Sequence, residues 1–83
     1  MICAYIDAAL SRAHYELIQD EDPYYGEVTE LPGVWASGKT LEECRQHLAE
    51  VVEGWVMIRI ARSLPIPPLG DTQLHLPREL AVA

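Results

Sequence analysis

The sequence predicts an α+β domain of the order α-β-β-β-α-β. It reads as a short N-terminal helix, a three-stranded antiparallel meander, a long helix packed on that sheet, and a short closing strand. Three observations predict it. Apolar residues recur at helical spacing near the start, alternate in the middle, and return to helical spacing after Thr40. Turn-forming residues punctuate the alternating part at Asp20-Glu21-Asp22-Pro23 and at Pro32-Gly33. Thr40-Leu41-Glu42-Glu43 carries the pattern of a helix start. Eighty-three residues make a single domain, 1–83. A chain of this size buries only about 60% of the surface its unfolded form exposes, so its stability margin is narrow.

Ile2, Tyr5, Ile6, Ala9, Leu10 and Ala13 form the stripe of the first helix, ending around Arg12 and Ala13. Residues 14–19 (HYELIQ) then alternate, with Tyr15 and Leu17 on one face and Glu16 and Ile18 on the other, as a strand does. The acidic turn at residues 20–23 leads to a partner strand over 24–31, rich in aromatic and β-branched residues. Pro32-Gly33 suits a type II turn, because proline presets φ and glycine accepts a positive one. A third short strand follows at 34–37, and connections this short favour a meander.

Thr40 is placed to cap the long helix through its hydroxyl, with Glu43 reaching back to the Thr40 amide. Glu42 and Glu43 lie where the helix dipole is positive, which explains them better than catalysis does. The expected buried seam runs Leu41, Cys44, Leu48, Val51, Trp55, Ile58, until Leu64-Pro65 ends the helix. Val52, Val56, Met57 and Ile60 add apolar surface beyond one stripe. That surplus implies cover by the N-terminal helix or an interface between subunits of a homo-oligomer. Residues 65–70, with three prolines, are extended, and residues 72–77 allow a final edge strand.

Charge narrows the function. Six Lys and Arg face thirteen Asp and Glu, a formal net charge of −7. Nucleic-acid binding draws on clustered basic residues, and here they are scattered, so direct DNA or RNA binding is not expected. An acidic chain suits a basic partner. No apolar run reaches the length of a membrane span, and the N-terminus lacks a signal-peptide pattern, so a cytoplasmic protein is expected. Cys3 and Cys44 form no CxxC motif and read as reduced, buried thiols, a single bridge between them being the alternative.

Signals for chemistry are weak. His14, His47 and His75 stand on separate elements, and one Cys-x-x-His pair, Cys44 with His47, does not make a zinc site. The acidic turn lacks the glycine and trailing glutamate of a calcium loop. Ser37 and Ser63 have no nucleophile-elbow context, and Gly33 and Gly38 are turn glycines rather than a phosphate loop. No catalytic residue, metal or cofactor is expected.

The stretch from the acidic turn to the long helix resembles the HicB family of antitoxins. The matching features are Asp20, Glu21, Asp22 and Tyr25 in the hairpin, the Pro32-Gly33 turn, and Gly38-Lys39-Thr40-Leu41-Glu42-Glu43 at the helix start. Pro65-Ile66-Pro67 resembles the family's helix exit. The likeness covers about residues 14–68. Cys44, His47 and Val51 depart from the usual alanine, asparagine and alanine, and the N-terminal helix is additional. The resemblance implies a non-catalytic, partial ribonuclease H fold, here without the DNA-binding domain that many members carry.

The resemblance also implies a partner, a small basic HicA-type toxin that cleaves mRNA and is neutralised by occlusion. The partner-binding residues expected on that basis are Asp20, Glu21, Asp22, Tyr24, Tyr25, Glu27 and Trp35. Packing within the sheet is the competing role for these aromatics. An orphan homo-oligomer with another protein partner is the second reading. A metal-dependent nuclease comes last, because the first strand offers only Glu16 as a carboxylate.

Overall fold

The computed structural model of the chain describes residues 2–70. Helix α1 spans Ile2–Ser11 and is followed by strands β1 (His14–Leu17), β2 (Tyr24–Glu27) and β3 (Trp35–Gly38), then helix α2 (Leu41–Ala61). The sheet order is β1-β2-β3 with both pairs antiparallel. This is the expected α+β architecture. The edge strand expected at 72–77 lies outside the described residues.

Alternation along the strands gives the sheet two unlike faces. Tyr15, Gly26 and Ala36 are partners in register and look toward α2. A side chain on Gly26 would strike the Tyr15 ring at 2.8 Å and approach the Cys44 sulfur at 3.3 Å. Gly38 is tighter still, since a Cβ there would come within 2.5 Å of the Cys44 backbone nitrogen. These two glycines let α2 lie directly on β2 and β3. The Cys44 thiol donates to the Ala36 carbonyl at 3.6 Å, and burial pushes its pKa up. Cys3, by contrast, is exposed rather than buried, and both cysteines are free.

The second strand is shorter than expected. β2 ends at Glu27, and residues 28–34 fold into two linked turns. Leu31 N–H donates to Val28 O, Val34 N–H to Leu31 O, and Val28 N–H to Val34 O. Gly33 has φ +79°, as a type II turn with proline before it requires. The double turn delivers Val28, Leu31 and Val34 into the core, which a continuing strand would not do. Burial of all three outweighs the β propensity of the stretch.

The core unites Tyr5, Ala9 and Leu10 of α1 with Leu48, Val52 and Val56 of α2 and with Leu69 beyond it. Val52 and Val56 are fully buried within the chain, so they are core residues and are not available to a second subunit. Ile60 packs partly against the same core, and of the four residues expected at an oligomer interface only Met57 stands open. The buried row of α2 is Cys44, Leu48, Val52, Val56, an i, i+4 row rather than the expected seam. Leu41 and Ile58, two members of that seam, are exposed.

The start of α2 is finished as the sequence suggests, whereas its end comes at Ala61, before the expected Leu64-Pro65 stop. The Thr40 hydroxyl accepts from the Glu43 amide at 3.0 Å, while the Glu43 carboxylate accepts from the Lys39 amide at 3.2 Å, one residue before the expected donor. At the other end Ser63 N–H donates to Ile60 O and Leu64 N–H to Arg59 O, the paired bonds of a Schellman motif. Ser63 takes the left-handed position, with φ +54°. Arg59 lies over the Trp55 ring, 4.4 Å from its centroid, and donates to the Pro65 carbonyl at 3.1 Å. The Tyr5 hydroxyl donates to the Pro67 carbonyl at 2.5 Å, so the exit segment is held to both helices.

Candidate protein-binding face

The outer sheet face carries His14 and Glu16 from β1, Tyr25 and Glu27 from β2, and Trp35 and Ser37 from β3. Register makes this a grid of two rows. His14, Glu27 and Trp35 are cross-strand neighbours in one row, and Glu16, Tyr25 and Ser37 in the other. Trp35 stacks on Tyr25 across the diagonal, with ring centroids 5.9 Å apart and planes 25° apart. Even so, Trp35 remains 55% exposed. An indole this open offers a partner both an apolar ring face and an N–H donor.

Carboxylates surround the aromatic pair. The Tyr25 hydroxyl donates to Glu27 Oε2 at 3.3 Å. Burial, then the charge and hydrogen bond of Glu27 and the charge of Glu16, push the Tyr25 pKa above its ordinary value. Tyr25 therefore keeps its proton and acts as the donor. Beside Glu27 and Trp35 the double turn encloses a shallow depression of about 200 Å³, bounded further by Thr29, Pro32 and Gly33.

The seven residues expected at the partner surface separate into three places. Tyr25, Glu27 and Trp35 come together on the outer face. Tyr24 points to the other side of the sheet, as the alternation from Tyr25 demands. Asp20, Glu21 and Asp22 lie at the hairpin tip, beyond the Leu17–Tyr24 pair and at the far end from Trp35. The Asp22 amide donates to the Asp20 side chain at 3.4 Å, which fixes that turn. Glu16 and His14 join the face without having been singled out. Only the hairpin register, counted back from the tip, would have found them.

Among the described residues no group of three or more His, Cys, Asp or Glu converges as a metal site would require. His47 sits on the exposed side of α2, its Nδ1 2.9 Å from the Ser37 carbonyl. That hydrogen bond, with the charges of Glu43, Glu50 and Asp22, raises its pKa against a smaller opposing effect of burial. No helix of the described residues is long and apolar enough to cross a membrane.

Over residues 4–67 the chain matches the family described as UPF0150-like. It belongs to that family. The assignment agrees with the HicB-like resemblance, but the matched span begins at residue 4, so α1 belongs to the family's domain and is not the addition expected from the sequence. The chain is also similar to the crystal structure of TTHA0281 from Thermus thermophilus. The identity is 47%, with 93% of this chain and 95% of that chain covered and a TM-score of 0.87. No curated protein matches it. In this UPF0150-like domain, then, the helical layer covers one sheet face, and the other presents aromatics beside acids.

Proposed function

We propose that this UPF0150-like chain is a non-catalytic, antitoxin-type protein that binds and occludes a small basic HicA-type toxin that cleaves mRNA. The observation that carries this reading is the outer sheet face, where an exposed Trp35 on Tyr25 sits among Glu16 and Glu27. Aromatic anchors ringed by charge suit a protein interface, and a net charge of −7 favours encounter with a basic partner. The acidic tip at Asp20, Glu21 and Asp22 steers the approach, while Tyr25, Glu27 and Trp35 make the close contact.

The test is capture of partners by the tagged full chain from its host lysate at low and high salt, followed by an RNA-cleavage assay. A small basic protein should be recovered, most completely at low salt, and its cleavage of mRNA should stop when one equivalent of this chain is added. A captured basic protein that cleaves equally well with the chain bound would overturn the occlusion mechanism.

A second reading is an orphan homo-oligomer with a different protein partner. It is favoured by the exposed apolar side chains of Met57 and Ile58, 54% and 55% open on α2. Sedimentation of the purified chain from micromolar to millimolar concentration separates the two readings. Stable oligomers, with no basic protein captured, would favour the orphan.

A further inference from the structure

We propose that the depression beside Trp35 seats one arginine side chain of the basic protein partner. The proposal rests on the reading that the outer sheet face meets a basic protein, and it names the contact that would give the face its selectivity.

Three features converge on a guanidinium. The first is the indole of Trp35, 55% exposed, with Tyr25 stacked against it. A planar cation laid on such a ring gains the quadrupole attraction of a cation–π contact, and the Tyr25 stack holds the ring in place to receive it. The second is Glu27, the cross-strand partner of Trp35. Its Oε2 accepts from the Tyr25 hydroxyl, which orients the carboxylate and leaves its remaining acceptor positions for a forked donor. The third is the depression itself, about 200 Å³, whose lining includes Glu27, Trp35, Thr29, Pro32 and Gly33. It has room for a single long side chain to lie along the indole.

Charge supports the same occupant. Among the described residues the only ion pair is Arg12 with Glu30, so Glu16 and Glu27 have no cation of their own. His14 stands opposite Glu27 in register yet forms no ion pair with it. Among the described residues, therefore, an incoming cation meets carboxylates that have no ion-pair partner. Arginine fits better than lysine, because a flat guanidinium can stack and fork at once, whereas an ammonium acts as a point charge. Tyr25 is a positioning residue, since it acts through Trp35 and Glu27.

The test uses the full chain, isotopically labelled, titrated with hexa-arginine and with hexalysine at physiological salt while the Trp35 indole N–H signal is followed by NMR. Hexa-arginine should bind more tightly than hexalysine, by up to the roughly two- to fivefold that a whole exposed cation–π contact is worth, and should move the Trp35 signal. Trp35→Leu should abolish the preference while leaving weak, salt-dependent binding of both peptides. Glu27→Gln should weaken hexa-arginine more than hexalysine. Both side chains are off the core, and circular dichroism checks that each variant folds. Equal affinities in the parent chain, or a preference that survives Trp35→Leu, would overturn the proposal. The result is distinguishable from failure of the toxin reading. An arginine preference with no toxin captured from lysate keeps the seat and removes the toxin. A captured toxin indifferent to Trp35→Leu does the reverse.

Discussion

Gly38 is the residue on which the helix–sheet contact turns. A methyl group there would sit 2.5 Å from the Cys44 nitrogen, and a backbone atom cannot rotate away as a side chain can. Gly38→Ala should therefore destabilise the fold by about 1–3 kcal/mol, the usual range for overpacking, read as a lower urea midpoint. Gly54, on the open side of α2, has nothing within 4 Å of where a methyl group would lie and serves as the control. Gly54→Ala should leave the midpoint unchanged or raise it, since alanine is the better helix former.

His47 makes a prediction about pH. Its folded pKa is raised, first by the hydrogen bond to Ser37 and then by Glu43, Glu50 and Asp22. A raised histidine pKa means that the protonated form favours the folded state. The contribution is fully present below the unfolded value of about 6.5 and is lost as pH rises through the folded pKa. Urea midpoints of the parent and His47→Gln should thus differ most in mildly acidic solution and converge in mildly alkaline solution. A constant difference across that range would show that the charge plays no part.

At the scale of elements, α2 ends against its own residue preference. Ser63 holds φ +54° in the position where helices usually place glycine. Ser63→Gly should stabilise the chain by up to about 1 kcal/mol, measured as a rise in urea midpoint, because the bonds of the motif remain and the Cβ penalty disappears. The opposite end gives the opposite sign. Thr40→Ala removes the acceptor of the Glu43 amide and should cost about 1 kcal/mol in the same measurement.

These elements also show where sequence was sufficient. Capping chemistry is local, so Thr40, Glu43 and Pro32-Gly33 could be read directly from neighbouring residues. The buried row of α2 could not. Val51 and Trp55 fit a helical stripe as well as Val52 and Val56 do, and only the positions of α1 and the sheet select between them. An i, i+4 row advances about 40° per step on a helix of 3.6 residues per turn. The row Cys44, Leu48, Val52, Val56 consequently winds around α2, meeting the sheet early and α1 later. The candidate site had the same limit in part. Residue type marks Tyr25, Glu27 and Trp35, and alternation alone separates Tyr24 from them, whereas placing Glu16 and His14 beside them needs the hairpin register.

For the whole molecule, two surfaces differ in chemistry. The outer sheet face joins aromatics to carboxylates, and the second half of α2 offers the exposed apolar side chains of Met57 and Ile58. Met57→Glu combined with Ile58→Glu should reduce any self-association seen by sedimentation while leaving capture of a basic partner intact. Loss of both together would mean that the two surfaces act as one. Neither side chain belongs to the core, so the double variant should keep the parent circular dichroism spectrum.

The bond from Tyr5 to Pro67 spans 62 positions of sequence. A ribosome makes α1 first and supplies the Pro67 carbonyl only after α2 is complete. Throughout that interval the Tyr5 hydroxyl lacks its mate, and the apolar stripe of α1 has only a partial bed. Non-local contacts of this kind close late, after loop-closure entropy has been overcome. Until the chain beyond α2 returns, the earliest-made helix therefore lacks one of the contacts that hold it in the finished fold.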